Sequence, residues 1–329
     1  MRRPRTPSLG TSLFCMLAGC SCASAIQAPP AAAPRASAPA PGEGSPAVPG
    51  EGRLRDVAHA GVPLATILDR AGEYVERYSD TFRNVLAEET CRQWLRSGYV
   101  TRSDSTIYGT ANPHQHAEVR TLRSELVWVA VPGLLPWGAF RDVVELDGRD
   151  LGGHEGRLAR LFASPDPTAL EQARGIFEES WRYNLGARRD VNVPTLALQW
   201  LLPENRHRLE FERKGERTIA NRHGVEVEFR EVTSPTLVRD ERRDRDVPSE
   251  GRFWIDPTSG AVLRSEIQYV ARGFVSTEYR PEPGFDVLVP DVMKELSGGL
   301  DSTALYPKYR RFGVAAASSV AKEPGQPED

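Results

Sequence analysis

The chain has 329 residues, room for one large domain or two ordinary ones, with a formal net charge of −3 and a sequence pI near 6.1. That balance gives no whole-molecule attraction toward nucleic acid or an acidic membrane surface. The arginines, which supply all but four of the 42 basic residues, are interleaved with acids rather than gathered into a patch, so no nucleic acid is expected as a partner. Three of the four cysteines fall in the first 22 residues, which leaves Cys91 alone in the body with no disulfide framework and no zinc-spaced Cys/His set. No cofactor and no metal are expected.

In chain order, Arg2, Arg3 and Arg5 form a positive n-region, followed by an apolar run from Leu9 to Leu17 that is too short to span a membrane and fits a signal-peptide core. Two exits are open. Ala23-Ser24-Ala25 is a generic small-residue cleavage site, which would release a secreted or periplasmic soluble protein. Leu17-Ala18-Gly19-Cys20 resembles the lipobox of bacterial lipoproteins, which implies cleavage between Gly19 and Cys20 and acylation of the Cys20 thiol. Ser21 after that cysteine resembles outer-membrane sorting, with the protein facing the periplasm. Cys15 is then discarded with the signal, and Cys22 is incidental.

Residues 26–52 consist almost entirely of Ala, Pro, Gly and Ser, have no apolar period, and reach about 80 Å at full polyproline extension, so Cys20 and the residues after it, 20–52, read as an anchor and tether. One α+β domain is expected over 53–314 and a polar tail over 315–329. Its first element is a helix over about 63–86, with Leu64, Ile67, Leu68, Ala71, Tyr74, Val75, Tyr78, Phe82, Val85 and Leu86 on one face. Strands are expected near 89–98, 119–131 and 137–147. In the second of these both parities are apolar (Leu126 and Trp128, then Val127 and Val129), so it is expected to be covered on both sides. A helical insertion follows over about 156–203. Its main helix opens on the capping-box spacing Thr168–Glu171 and ends near Gly186, and a shorter helix is expected over Thr195–Leu202.

The last third reads as antiparallel β. Leu209 and Phe211, then Val225, Val227 and Phe229, alternate with charged residues around a turn near Asn221–Gly224. "GRFWIDPTSGAVLRSEIQYV" is a second hairpin turning on Asp256–Gly260. Further strands are expected near 273–280, 287–296 and 303–312. Strands in runs rather than alternating with helices indicate α+β: a strongly curved antiparallel sheet packed on the long N-terminal helix, with the helical insertion.

Two segments carry a resemblance. Phe253-Trp254-Ile255-Asp256, through Gly260 to Leu263-Arg264, is similar to the hairpin of the bacterial lipoprotein-carrier and receptor superfamily (LolA/LolB type), and Ala304–Phe312 resembles its last strand. The likeness extends over about 205–313, and the helical insertion departs from the compact carriers. The resemblance implies an unclosed β-barrel whose apolar concavity between sheet and helix binds a hydrophobic ligand, a lipidated partner or another envelope protein, without catalysis. Leu126, Trp128, Phe253, Ile255 and Leu263 are the candidate lining, with ordinary core packing as the alternative for each. A scaffold that uses the sheet edge or the inserted helices, or an envelope hydrolase with a dispersed site, remain as other readings.

No phosphate-cradling glycine loop, nucleophile elbow or zinc-helix motif occurs. His114 and His116 with Glu118 could approach a metal but read as a surface loop. Glu88-Glu89 could form an acid/base pair but reads as a solvated helix end. "DERRDRD" over 240–246 reads as an exposed loop, His154 has no recognisable setting, and Cys91 reads as a small buried side chain.

Overall fold

Pro63 lacks the N–H that a first helical turn leaves unpaired, and it opens an amphipathic helix whose buried face is Leu64, Ile67, Leu68, Ala71, Tyr74, Val75 and Tyr78. The helix stops at Thr81 and Asn84 takes the left-handed conformation (φ 59°), so Val85 and Leu86 belong to a strand rather than to the last helical turn. The computed structural model describes residues 53–55, 61–96, 99–102, 105–108, 118–129, 138–163, 166, 168–186, 192–240, 244–269 and 273–313.

The elements in the first half are β1 (Arg53–Arg55), α1 (Leu64–Thr81), β2 (Val85–Leu95), β3 (Tyr99–Arg102), β4 (Ser105–Tyr108), β5 (Glu118–Val129), β6 (Gly138–Leu146) and β7 (Arg149–Asp150). The insertion holds α2 (Arg157–Ala163), α3 (Ala169–Trp181) and 3₁₀ turns over Leu196–Leu201 and Pro203–Arg208. Then come β8 (Leu209–Ile219), β9 (Arg222–Glu231), β10 (Arg239–Asp240), β11 (Arg245–Asp246), β12 (Glu250–Ile255), β13 (Val262–Tyr269), β14 (Gly273–Arg280), β15 (Val289–Ser297) and β16 (Leu300–Arg311).

Twelve strands form one sheet in the order β1-β8-β9-β12-β13-β14-β15-β16-β2-β5-β6-β7. All its pairings are antiparallel except that of β1 on β8. The end strands β1 and β7 are not paired with each other, so the sheet curls round α1 without closing. Burying six or so large apolar side chains of α1 contributes about 1.5–3 kcal/mol each before entropy is counted.

The open edge is protected on the β6 side. Val143 N–H donates to Ser180 Oγ (3.1 Å), Val143 O lies 2.8 Å from His154 Nδ1, and Leu151 N–H donates to Val144 O (3.0 Å). β5 is covered on both faces as its two apolar parities require. Leu126 and Trp128 face α1, while Val127, Val129 and Phe140 lie under Leu158, Ala173, Phe177 and Trp181 of α2 and α3.

Four details depart from the expected elements. Thr168 is the N-cap of α3, but its hydroxyl donates to Asp166 Oδ1 (2.7 Å) in place of a capping bond, because Asp166 also accepts the Thr168 N–H at 2.7 Å. α3 ends at Trp181, five residues before Gly186, and α2 is an additional helix. The short segment after Pro194 is 3₁₀ rather than α. The β8–β9 turn sits one step earlier than expected, on Ala220 and Asn221, both at positive φ (45° and 64°), and the strand resumes at Arg222. The Asp256–Gly260 hairpin turn is as expected: Gly260 has φ +73°, and a Cβ there would stand 2.2 Å from Arg70 O, so only glycine lets this turn rest on α1.

Candidate functional site

The inner face of β2 carries Val85, Ala87, Glu89, Cys91 and Gln93, all buried. Period-2 alternation therefore puts Glu89 inside and Glu88 outside, where Glu88 meets Lys308 at 3.2 Å. The expectation of a solvated Glu88-Glu89 helix end is corrected: the two carboxylates lie on a strand and on opposite faces of the sheet. Arg141 on β6 also points inward, 7% exposed beside Glu89 at 1%. Its Nε and Nη2 donate to Glu89 Oε2 (2.5 Å) and Oε1 (2.8 Å), a bidentate fork, and Tyr306 O–H donates to Glu89 Oε1 at 2.8 Å.

Burial weakens the charged form of Arg141, but the charge and hydrogen bonds of Glu89 outweigh it and raise its pKa further above the usual guanidinium value. The Tyr306 hydroxyl is raised by burial first and then by the Glu89 charge. The bulge at Tyr306-Pro307 interrupts the β16–β2 ladder between Leu305 and Lys308, where the missing proline N–H costs no ladder bond.

This interior holds a strap of the insertion, residues 192–202. Arg141 Nη1 and Nη2 donate to Asn192 Oδ1 (3.0 Å) and Asn192 O (2.9 Å). Tyr279 O–H donates to Pro194 O at 2.9 Å, and Trp128 Nε1–H to Thr195 Oγ1 at 3.0 Å. Just upstream, Gln93 donates to Asn184 Oδ1 and accepts the Leu185 N–H, both at 2.8 Å. Leu196, Leu198, Trp200, Leu201 and Leu202 of the strap join the core cluster around α1.

The five candidate lining residues all belong to the same core cluster as the strap. Leu126, Trp128, Phe253 and Ile255 are 0% exposed and Leu263 is 1% exposed. Trp128 makes an edge contact with Phe82 (5.2 Å) and stacks near Tyr309 (6.4 Å), while Phe253 stacks on Phe229 at 4.9 Å. In this conformation the concave side is filled by α1 and the strap.

The outer side carries a second buried polar group. Asp142, with no exposed side-chain surface, receives Arg157 Nε (2.5 Å) and Nη2 (2.9 Å) and lies 3.2 Å from His154 Nδ1. Its cross-strand neighbour Glu125 accepts the Gly156 N–H (2.7 Å) and Arg310 Nη2 (2.9 Å). Arg157 also reaches Glu179 on α3 at 2.8 Å, so the group clamps α2 and α3 to the sheet. Burial raises the pKa of both Asp142 and Glu125, against the hydrogen bonds they receive.

Cys91 is a buried thiol whose Sγ accepts Gln93 Nε2–H at 3.8 Å. Of 240–246, Arg239–Asp240 and Arg245–Asp246 form a two-stranded hairpin. Gly19, Cys20, His114 and His116 lie outside the described residues. Among the described residues no group of three His, Cys, Asp or Glu side chains could hold a metal, and no helix is long and apolar enough to cross a membrane.

The Glu89–Arg141–Tyr306 group was not singled out from the sequence. The available signal was that Glu89 shares the parity of Val85, Ala87 and Cys91 on a strand, which a helix reading carried through Leu86 conceals.

No family model matches the sequence, and no curated protein matches it. Among solved structures, a domain described as an outer membrane lipoprotein-sorting protein from Vibrio parahaemolyticus is similar at 10% identity and TM-score 0.36, over 74% of this chain and 91% of that one. A DUF1329 family protein from Desulfovibrio piger aligns at 10% identity and TM-score 0.34, over 76% and 94%. A LolA superfamily protein from Nitrosomonas europaea aligns at 10% identity and TM-score 0.30, over 78% and 96%. At such scores the chemistry of the site is read from this chain alone, whose curved, unclosed antiparallel sheet around a helix is the architecture that its hairpin and last strand imply.

Proposed function

We propose that the chain is a non-catalytic binding protein of the cell envelope, anchored by acyl chains on Cys20 through the tether 20–52. It takes a hydrophobic ligand or a lipidated partner into the space between the sheet and α1. One observation carries the reading. The apolar wall formed by Leu126, Trp128, Phe253, Ile255 and Leu263 is shut off by a short strap, and Arg141, Tyr279 and Trp128 hold residues 192–195 of it by hydrogen bonds. Such bonds can exchange for water when the segment moves: each is worth about 0.5–1.5 kcal/mol net, and about 1.5–3 kcal/mol where the charged Arg141 donates. Displacing the strap uncovers an apolar surface of the kind that buries acyl chains.

The test is native mass spectrometry of the protein expressed without its anchor (Cys20→Ser), followed by titration with a long-chain fatty acid read by tryptophan fluorescence, with Trp128→Phe as control. Co-purified lipid, or saturable binding that loses its signal in Trp128→Phe, is the expected result. Protein free of lipid that also shows no saturable response would sink the proposal.

A further inference from the structure

The strap over residues 192–202 has two unlike halves. Leu196, Leu198, Trp200, Leu201 and Leu202 are apolar and lie in the core around α1. The half before them, 192–195, offers oxygen atoms to the sheet. Asn192 Oδ1 and O accept from Arg141, Pro194 O accepts from Tyr279, and Thr195 Oγ1 accepts from Trp128. All four oxygens belong to uncharged groups, and three of them are carbonyls. The segment that fills the concave side is therefore built like an amphiphile, with a carbonyl head and an apolar tail.

The donors that hold this head come from three strands: Arg141 from β6, Trp128 from β5 and Tyr279 from β14, all buried. An occupant that displaces 192–195 and keeps water out must supply acceptors to them, because a buried donor left unpaired keeps its desolvation cost. Arg141 does not call for an anion, since the bidentate bond to Glu89 already meets its charge. A second carboxylate beside Glu89 would leave one negative charge uncompensated in the interior, which is costly. An ester or amide carbonyl satisfies the same donors without adding charge.

Resting on the ligand-binding reading above, we propose that Arg141, Tyr279 and Trp128 form a carbonyl subsite that takes the head of an uncharged acyl ester or amide in place of residues 192–195. The acyl chain then takes the place of the apolar half of the strap. Glu89 is the residue that sets the preference. It neutralises Arg141 and so turns a guanidinium that would otherwise select a carboxylate into a reader of neutral carbonyls. Removing the Glu89 charge should therefore reverse the order of the two head groups.

Calorimetric titration of the full chain without its anchor (Cys20→Ser) tests this with two probes of equal chain length, monolauroylglycerol and laurate, at about pH 8 where laurate is ionised. The ester is expected to bind about tenfold or more tighter than laurate, and Glu89→Gln is expected to reverse that order. Asn192→Ala, which removes one oxygen of the strap, should tighten both probes and keep their order. Infrared spectra of an isotope-labelled ester carbonyl give a second readout that does not require Glu89→Gln to fold. In the wild type the bound carbonyl band should lie below its position in hexane, and in Glu89→Leu/Arg141→Met it should move back toward that position. Laurate binding as tightly as the ester, an unchanged order in folded Glu89→Gln, or a bound carbonyl band at its hexane position would overturn the subsite while leaving the binding reading intact. Binding of neither probe would overturn both.

Discussion

Glu89 and Arg141 meet across 52 residues of sequence, and Tyr306 closes the group from 217 residues away. Glu89 and Arg141 are each costly alone, because an unpaired charge in the interior keeps its full desolvation penalty. Arg141→Met should therefore destabilise the fold by about 3–5 kcal/mol, whereas Glu89→Leu/Arg141→Met should cost clearly less, since no buried charge is then left unpaired. Urea denaturation of the two variants measures the difference, and equal losses would mean that the pair is not the controlling interaction. The alternating pattern of β2 contained the inward direction of Glu89, but nothing in the neighbouring residues named its partner.

The α2–α3 hairpin is an element whose sequence showed its helical stripe but not its seat. Leu170, Ala173, Ile176, Phe177 and Trp181 recur at helical spacing, and they pack on the outer residues of β5 and β6. What fixes the orientation is the clamp of Asp142, Glu125, Arg157 and Glu179. Burial raises the folded pKa of Asp142 and Glu125 above the unfolded values of about 3.9 and 4.3. A carboxyl shifted in that direction favours folding most in its protonated form. Its contribution is complete below the unfolded pKa and is lost as pH rises through the folded one. Stability should accordingly carry a downward component from about pH 4 toward neutrality, and Asp142→Asn, which cannot titrate, should make that component shallower. Chemical denaturation at a series of pH values reads the slope, and a slope identical to that of the wild type would refute the assignment.

At the scale of the whole molecule, the proposed acylation of Cys20 would put the folded part on a leash of about 80 Å. Cys20→Ala should abolish labelling by a clickable fatty acid, and undiminished labelling would return the chain to the secreted alternative. The sheet itself was largely legible. Period-2 alternation in β8, β9 and β13 and the Asp256–Gly260 turn are local properties, and local backbone physics settles them wherever they occur. Composition carried as much: one body cysteine, and arginines interleaved with acids rather than gathered along the sequence. The filling of the concave side was decided only by the tertiary structure. Leu126, Trp128, Phe253, Ile255 and Leu263 have the same apolar composition whether they line an open cavity or a packed core. What separates the two is where residues 192–202 come to rest. That depends on Arg141, Tyr279 and Trp128, hydrogen-bond donors brought together from strands distant in sequence, whose meeting no local pattern records.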